Sequence, residues 1–144
     1  MTVCLMDKAH IAHVAAIEAE CFTSPWSEAA LERLITSQGF GVVAIEDGRA
    51  AAYGGMLLVL DEGQITNVAT SARYRRRGLA RAVMLEMLRI ARERGITTLS
   101  LEVRASNEGA IALYRTLGFT VAGTRKGFYT NPREDALVMI KTFY

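Results

Sequence analysis

The chain has 144 residues, 51% of them apolar, and a formal net charge of +2. That length suits one compact core, expected to span residues 1–144 as a single domain, and so small a charge demands no nucleic-acid partner. Cys4 and Cys21 stand in neither a metal-type nor a redox-type spacing, and no run is apolar enough to cross a membrane, so a reducing cytoplasm is the expected setting.

Thr2 to Met6 predicts a short strand. Asp7 then suits a helix N-cap, with Ile11, Val14, Ala15, Glu18 and Phe22 at helical spacing through Cys21. Asp7 and His10 also interrupt the start before an apolar leader develops. His10 and His13 lie three apart on this helix, but no carboxylate or thiolate set accompanies them, so no metal site is expected. Ser24-Pro25-Trp26-Ser27 breaks the helix. Ser27 can cap a second helix, while Trp26 can staple onto Leu31 and, from its loop, line a binding groove.

Phe40 to Ile45 alternates as a strand, Asp47-Gly48 is a two-residue hairpin turn, and Ala50 to Leu60 returns as the next strand. Gly54-Gly55 inside it marks a bulge or a close approach. After a turn at Asp61-Glu62-Gly63, Gln64 to Thr70 forms a further strand. Leu79, Val83, Met87 and Ala91, with Met84 and Leu88 beside them, draw one apolar stripe along a helix that stops at Gly95. Glu86, Arg89 and Glu93 mark its solvated face. Thr97 to Val103 is a strand and Asn107 to Leu117 a short helix closed by Gly118. Phe119 to Phe128 and Ala136 to Thr142 supply a last antiparallel pair. The order β-α-α-β-β-β-α-β-α-β-β predicts an α/β fold, a mixed sheet of about seven strands with helices on both faces. The strands Gln64–Thr70 and Thr97–Val103, separated by a helix, should be parallel neighbours joined by a right-handed crossover.

Two parallel strands that part at their C-terminal ends leave a crevice where ligands bind. The backbone of Val68-Ala69-Thr70 would arrive there able to pair with an extended ligand arm like an added strand. Glu102 arrives from the other strand, on the face opposite Leu99, Leu101 and Val103. An acid in so apolar a strand is either paired with an arginine or kept as a base, and burial would raise its pKa toward a general base's range. Asn107 begins the following helix as a cap, and Tyr114 shares that helix's face with Ile111. Upstream, the turn Arg75-Arg76-Arg77-Gly78-Leu79-Ala80 precedes the long helix. Free N–H groups at the helix start, a glycine that lets an anion close to the backbone, and forked arginine donors together suit a diphosphate.

Arg75-x-x-Gly78-x-Ala80 resembles the Arg/Gln-x-x-Gly-x-Gly/Ala signature of the GNAT N-acetyltransferases, which wraps the pyrophosphate of coenzyme A. Leu101-Glu102-Val103-Arg104-Ala105-Ser106-Asn107, Ala110-Ile111-Ala112-Leu113-Tyr114 and Leu117-Gly118-Phe119 look like the RimI subfamily of ribosomal-protein-alanine N-acetyltransferases. So do Phe22 with Pro25-Trp26-Ser27-Glu28, and Arg133-Glu134-Asp135-Ala136. Arg75 stands where the subfamily usually has glutamine, Ala80 replaces the final glycine, and Ser71-Ala72 replaces an Asp-Pro.

The resemblance implies the GNAT fold and a mechanism. Acetyl-coenzyme A would lie along Val68, Ala69 and Thr70, with Arg76, Arg77, Gly78, Leu79, Ala80 and Arg81 at its phosphates and Asn107 on its arm. The N-terminal amine of a ribosomal protein would attack the thioester directly, Glu102 taking its proton through water and Tyr114 protonating the thiolate. Trp26, Tyr129 and Glu134 are the implied acceptor-side residues. Neither metal, membrane nor nucleic acid is required. An α-amine, with a pKa of about 8, is already about a tenth free base near neutrality, whereas a lysine at about 10.4 is almost wholly protonated, so one modest base suits the former better. The competing readings are a lysine or small-amine acetyltransferase of the same fold, and a non-catalytic module whose Arg73–Arg77 run binds RNA.

Overall fold

The computed structural model describes residues 1–36 and 38–143. Its elements are β1 (Thr2–Leu5), α1 (Ile11–Cys21), α2 (Glu28–Leu34), β2 (Gly39–Glu46), β3 (Arg49–Val59), β4 (Glu62–Thr70), α3 (Leu79–Glu93), β5 (Thr98–Arg104), α4 (Glu108–Thr116), β6 (Thr120–Tyr129) and β7 (Glu134–Thr142). Polar caps set the helix starts. Asp7 Oδ1 accepts the Ala9 N–H at 2.8 Å and His10 Nδ1 accepts the Asp7 N–H at 3.0 Å, a reciprocal box around a 3-10 turn that leads into α1. His10 thus closes a cap. Ser27 Oγ accepts the Ala30 N–H and starts α2, as its sequence position predicts.

The sheet runs in the order β1-β2-β3-β4-β5-β7-β6. Its pairings are antiparallel except β4 with β5, the parallel pair that the intervening helix requires. Asp47 (φ 53) and Gly48 (φ 75) make the tight β2–β3 turn expected of Asp-Gly. The next turn falls earlier than Asp61-Glu62-Gly63. Leu60 takes the left-handed conformation (φ 56) and Glu62 already pairs with both Val59 and Thr98, so β4 begins there. The remaining strand and helix limits differ from the sequence reading by about a residue or two, within the ordinary fraying of element ends.

One face of the sheet packs on α3 and α4. Leu79, Val83, Met84, Met87 and Ile90 of α3 meet Phe40, Val42, Met56, Ile65, Leu99 and Leu101, with Tyr114 of α4 and Leu117 just beyond its end in the same core. The other face packs on α1 and α2, where Ile11, Val14, Ile17, Leu31 and Leu34 cover Val43, Tyr53 and Ala69. The α1/α2 core takes nothing from β5, β6 or β7, so that half of its face lies outside the helical cover.

Between β3 and β4 the register jumps from Gly54↔Val68 to Met56↔Ile65, so β4 carries one extra residue at Thr66/Asn67. This is the bulge that Gly54-Gly55 marks, and both glycines are also close approaches. A Cβ at Gly54 would stand 2.5 Å from Met87 Cε and 2.9 Å from Val83 Cγ1; one at Gly55 would stand 2.5 Å from Leu34 Cδ2. Helices on the two faces are therefore seated directly on adjacent glycines. Gly54→Val should lower unfolding free energy by about 1–3 kcal/mol through overpacking against α3. Gly123→Ala, where an added Cβ meets nothing within 4 Å, should change it little in the same urea melt.

Candidate active site

β4 and β5 pair only over Glu62↔Thr98, Gly63↔Leu99 and Gln64↔Ser100. Beyond those residues the strands part, and a crevice of about 640 Å³ opens between them. Ser71 N–H donates to Ala51 C=O, which fixes the hydrogen-bonding phase of the β3–β4 ladder. Ser71 and Ala69 exchange bonds with β3, so Val68 and Thr70 turn their backbone groups toward the gap. The Thr70 carbonyl is already taken by Arg75 Nε at 3.2 Å and by Cys21 Sγ. Ala69 differs from the sequence expectation: its backbone serves β3 and its methyl is buried in the α1/α2 core.

The bulge also re-aims side chains. Ile65 and Val68 lie on the α3 face, while Thr66, against Gly55, and Asn67 both turn to the α1 face. Asn67 Nδ2 donates to Glu18 at 2.9 Å. Glu18 is fully buried, and its carboxylate also accepts the Tyr53 hydroxyl and, at 2.7 Å, the Trp26 N–H. Burial, and then the charge and hydrogen bond of Glu18, hold the Tyr53 pKa well above the ordinary phenol value. Glu18 sits at an apolar position of the α1 pattern, which is the signal in the sequence that marks it.

Glu102 stands in the crevice with its side chain 16% exposed. Arg125 Nη1 lies 3.6 Å from one carboxylate oxygen, and Gln64 Nε2 donates to the other at 3.4 Å. Tyr114 reaches the crevice from the opposite face of the sheet, 7% exposed, and burial, then the nearby Tyr129, push its pKa up to about 12. Tyr129 is raised as well, first by burial and then by Glu102. Asn107 lines the crevice and spends its side-chain carbonyl on the Ala110 N–H as the cap of α4. Trp26 lines it from the α1–α2 connection, beside Phe22, Leu57 and Phe128.

Glu134 lies outside the lining. One of its oxygens accepts the Ser106 N–H at 2.7 Å and the other faces Arg104 at 3.3 Å, contacts that hold its pKa below the usual carboxylate range. Arg104 also donates to the carbonyls of Pro132 and Thr130 and stacks 4.4 Å from the Tyr129 ring. Together they strap the β6–β7 connection to the end of β5.

Past β4 the chain makes a 3-10 turn, Ala72–Tyr74, and then alternates its backbone handedness: Arg75 φ −67, Arg76 φ 66, Arg77 negative, Gly78 φ 76. Such alternation makes successive N–H groups converge. The first bond of α3 is Ala82 N–H to Gly78 C=O, so the N–H groups of Leu79, Ala80 and Arg81 have no acceptor within the helix. A Cβ built on Gly78 would meet nothing within 4 Å, which leaves that backbone open from outside. The arginines are not equivalent. Arg73 and Arg77 each lie 5.4 Å from the Tyr74 ring, Arg81 donates to Thr116, and Arg76 is exposed. A turn with convergent, open N–H groups, suited to an anion, therefore follows the split parallel pair, set apart from the crevice lining.

Residues 11–119 match the model of the Acetyltransferase (GNAT) family. The chain belongs to that family. Escherichia coli (strain K12) has a relative named [ribosomal protein bS18]-alanine N-acetyltransferase, 39% identical over 125 residues, which cover 85% of this chain and 84% of that protein. A Bacillus subtilis (strain 168) relative is 40% identical over 131 residues, 90% of this chain and 87% of its own length. The crystal structure of the ribosomal-protein-S18-alanine N-acetyltransferase from Escherichia coli superposes with a TM-score of 0.90 at 35% identity, covering 98% of this chain and 92% of that one. The α/β mixed sheet expected from the element order, and the GNAT fold implied by the resemblance, are thus the observed ones. Among the described residues no helix is long and apolar enough to cross a membrane.

Because Arg104 ties the end of β5 to the β6–β7 connection through the carbonyls of Thr130 and Pro132, Arg104→Met should free residues 129–133. Their amide hydrogen exchange should rise by about tenfold or more while that of α3 stays unchanged.

Proposed function

We propose that this acetyltransferase moves an acetyl group from acetyl-coenzyme A to the α-amine of a protein N-terminus, and that its acceptor is the N-terminal alanine of a small-subunit ribosomal protein. The observation that carries this reading is the arrangement at the split: Glu102 from one face of the sheet and Tyr114 from the other, on either side of a gap bordered by the backbone of Val68 and the N–H of Thr70. The names of the relatives support the choice of acceptor. A cytoplasmic setting and a single acetyltransferase domain follow from it, with no need of metal, membrane or nucleic acid.

Acetyl-coenzyme A, when bound, supplies an acyl thioester. The amides of Leu79, Ala80 and Arg81, with Gly78, Arg76 and Arg77, are suited to hold its phosphates, and the Val68 and Thr70 N–H groups suit its amide-bearing arm. Ala69 contributes by turning its neighbours to the gap, and Asn107 closes the end of the arm's path. Trp26 and Tyr129 wall the acceptor side, while Glu134 shapes it from behind through Arg104 and Ser106. Glu102 accepts the proton of the attacking amine, directly or through a water. As the carbonyl carbon–sulfur bond breaks and the carbon–nitrogen bond forms, Tyr114 offers its O–H to the departing thiolate. With Tyr114 at about 12 and a thiol near 8.5, complete proton transfer is uphill by about 5 kcal/mol. Hydrogen-bond donation to the thiolate is therefore the larger part of its role.

The deciding assay compares an alanine-starting peptide with an N-terminally blocked internal-lysine peptide and a polyamine. Acetylation of the first at least about tenfold faster supports the reading, and preference for either of the others replaces the acceptor. Glu102→Gln should cut kcat by about 10²–10³ with acetyl-coenzyme A affinity, read by calorimetry, unchanged. Tyr114→Phe should cost about 10–10² in kcat. Since its raised pKa keeps Tyr114 protonated below about 12, the wild-type kcat should show no alkaline fall between pH 8 and 10. A fall in that interval that Tyr114→Phe abolishes would overturn the assignment.

A further inference from the structure

Glu18 lies outside the crevice lining and outside the proposed chemistry, yet it joins three elements. Oε1 accepts the Trp26 N–H from the α1–α2 connection. Oε2 accepts Asn67 Nδ2 from the bulge of β4 and the hydroxyl of Tyr53 from β3. Trp26 and Asn67 both line the crevice; Glu18 and Tyr53 do not. A carboxylate offers about four acceptor positions, and here three donors converge on it with no water-exposed surface. Of those three bonds, two hold the crevice walls and one is purely internal.

We infer that Glu18 is a positioning residue for the amine acceptor: by bonding Trp26 and Asn67 at once it fixes the α1–α2 connection against the bulged strand, and so sets the acceptor side of the crevice. This rests on the acyl-transfer reading given above. Phe22, Thr23, Ser24 and Trp26 all line the crevice from this connection, a segment without regular structure between two helices. Its register against β4 is set by the Trp26 N–H bond to a side chain rather than by a strand ladder. Glutamine cannot replace the carboxylate. It is nearly isosteric, but it presents one acceptor oxygen and an NH₂ group that faces other donors.

The test uses the full-length chain with Glu18→Gln and Tyr53→Phe side by side. Tyr53→Phe removes the internal bond only, so it should lower the melting temperature yet leave the acceptor KM within about twofold. Glu18→Gln should raise the acceptor KM by about tenfold, with the acetyl-coenzyme A KM within about twofold and kcat changed less than about threefold. Amide exchange of residues 22–27 should rise by about tenfold in Glu18→Gln and stay near wild type in Tyr53→Phe. Equal KM increases in the two variants would assign the effect to general loosening and overturn the proposal. So would unchanged exchange at Trp26 in Glu18→Gln. The exchange measurement needs no turnover, so it decides the role of Glu18 even if the wild-type chain acetylates no peptide, an outcome that would instead remove the acyl-transfer reading. Should Glu18→Gln fail to fold, Asn67→Ala removes one wall contact and should give an acceptor KM increase of about threefold; no increase there overturns the proposal equally.

Discussion

The parting of β4 from β5 after three residue pairs is the constraint on which the rest of the structure depends. A parallel pair normally satisfies its backbone along its whole length, and a buried N–H or C=O without a partner is costly. The split persists because neighbouring elements occupy the backbone on its other sides. β4 is paired to β3 through Ala69, β5 is paired to β7 from Thr98 to Arg104, and the Thr70 carbonyl is met by Arg75 and Cys21. What is left facing the gap is short and polar, a site that a ligand with amide groups can complete. The crevice also connects the two faces of the sheet, which is why a carboxylate from one face and a phenol from the other can address the same space.

The bulge at Thr66/Asn67 and the buried Glu18 belong to the same construction. Without the extra residue, alternation would place Thr66 on the face of Ile65's neighbours in strict turn, and Asn67 could not follow it to the α1 side. With it, Asn67 reaches Glu18, and α1 becomes anchored to the strand that borders the gap. Gly54 and Gly55 let α3 and α2 side chains close on the sheet from both sides at that level, so the bulge is held between helices. Packing and polar contacts thus fix one geometry.

Much of this was legible in the residue pattern. The α3 stripe, the Asp47-Gly48 turn and the paired glycines each carry a local signal that tertiary structure had no reason to override. Leu99, Leu101 and Val103 alternating with Ser100 and Glu102 placed the acid correctly on its strand face. What the pattern left out depends on contacts distant along the chain. Arg125 of β6 meets Glu102 of β5 across β7, in a strand order that sequence spacing does not encode. Ala69 looked equivalent to Val68 and Thr70 until the ladder phase, set by Ser71 and Ala51, assigned its backbone to β3. The resemblance implies Glu134 on the acceptor side, whereas its partners are Ser106 and Arg104 at the end of β5, contacts that sequence spacing does not show.

The electrostatics around Glu102 bear on which amine such a site favours. Arg125 Nη1 and Gln64 Nε2 both face the Glu102 carboxylate, and Tyr129 beside it is raised first by burial and then by the charge of Glu102. In the proposed function Glu102 is a single base, and it suits an amine of which about a tenth is already free base near neutrality, as for an N-terminal amine with a pKa of about 8. For a lysine the same base would face an additional free-energy cost of about 3 kcal/mol, the difference between about 8 and about 10.4. Among the described residues, the groups facing Glu102 are a guanidinium, an amide and a phenol, none of them a second base to offset that cost. In the proposed function, the groups around the carboxylate therefore favour an α-amine over a lysine before any pocket for the acceptor's side chains is considered.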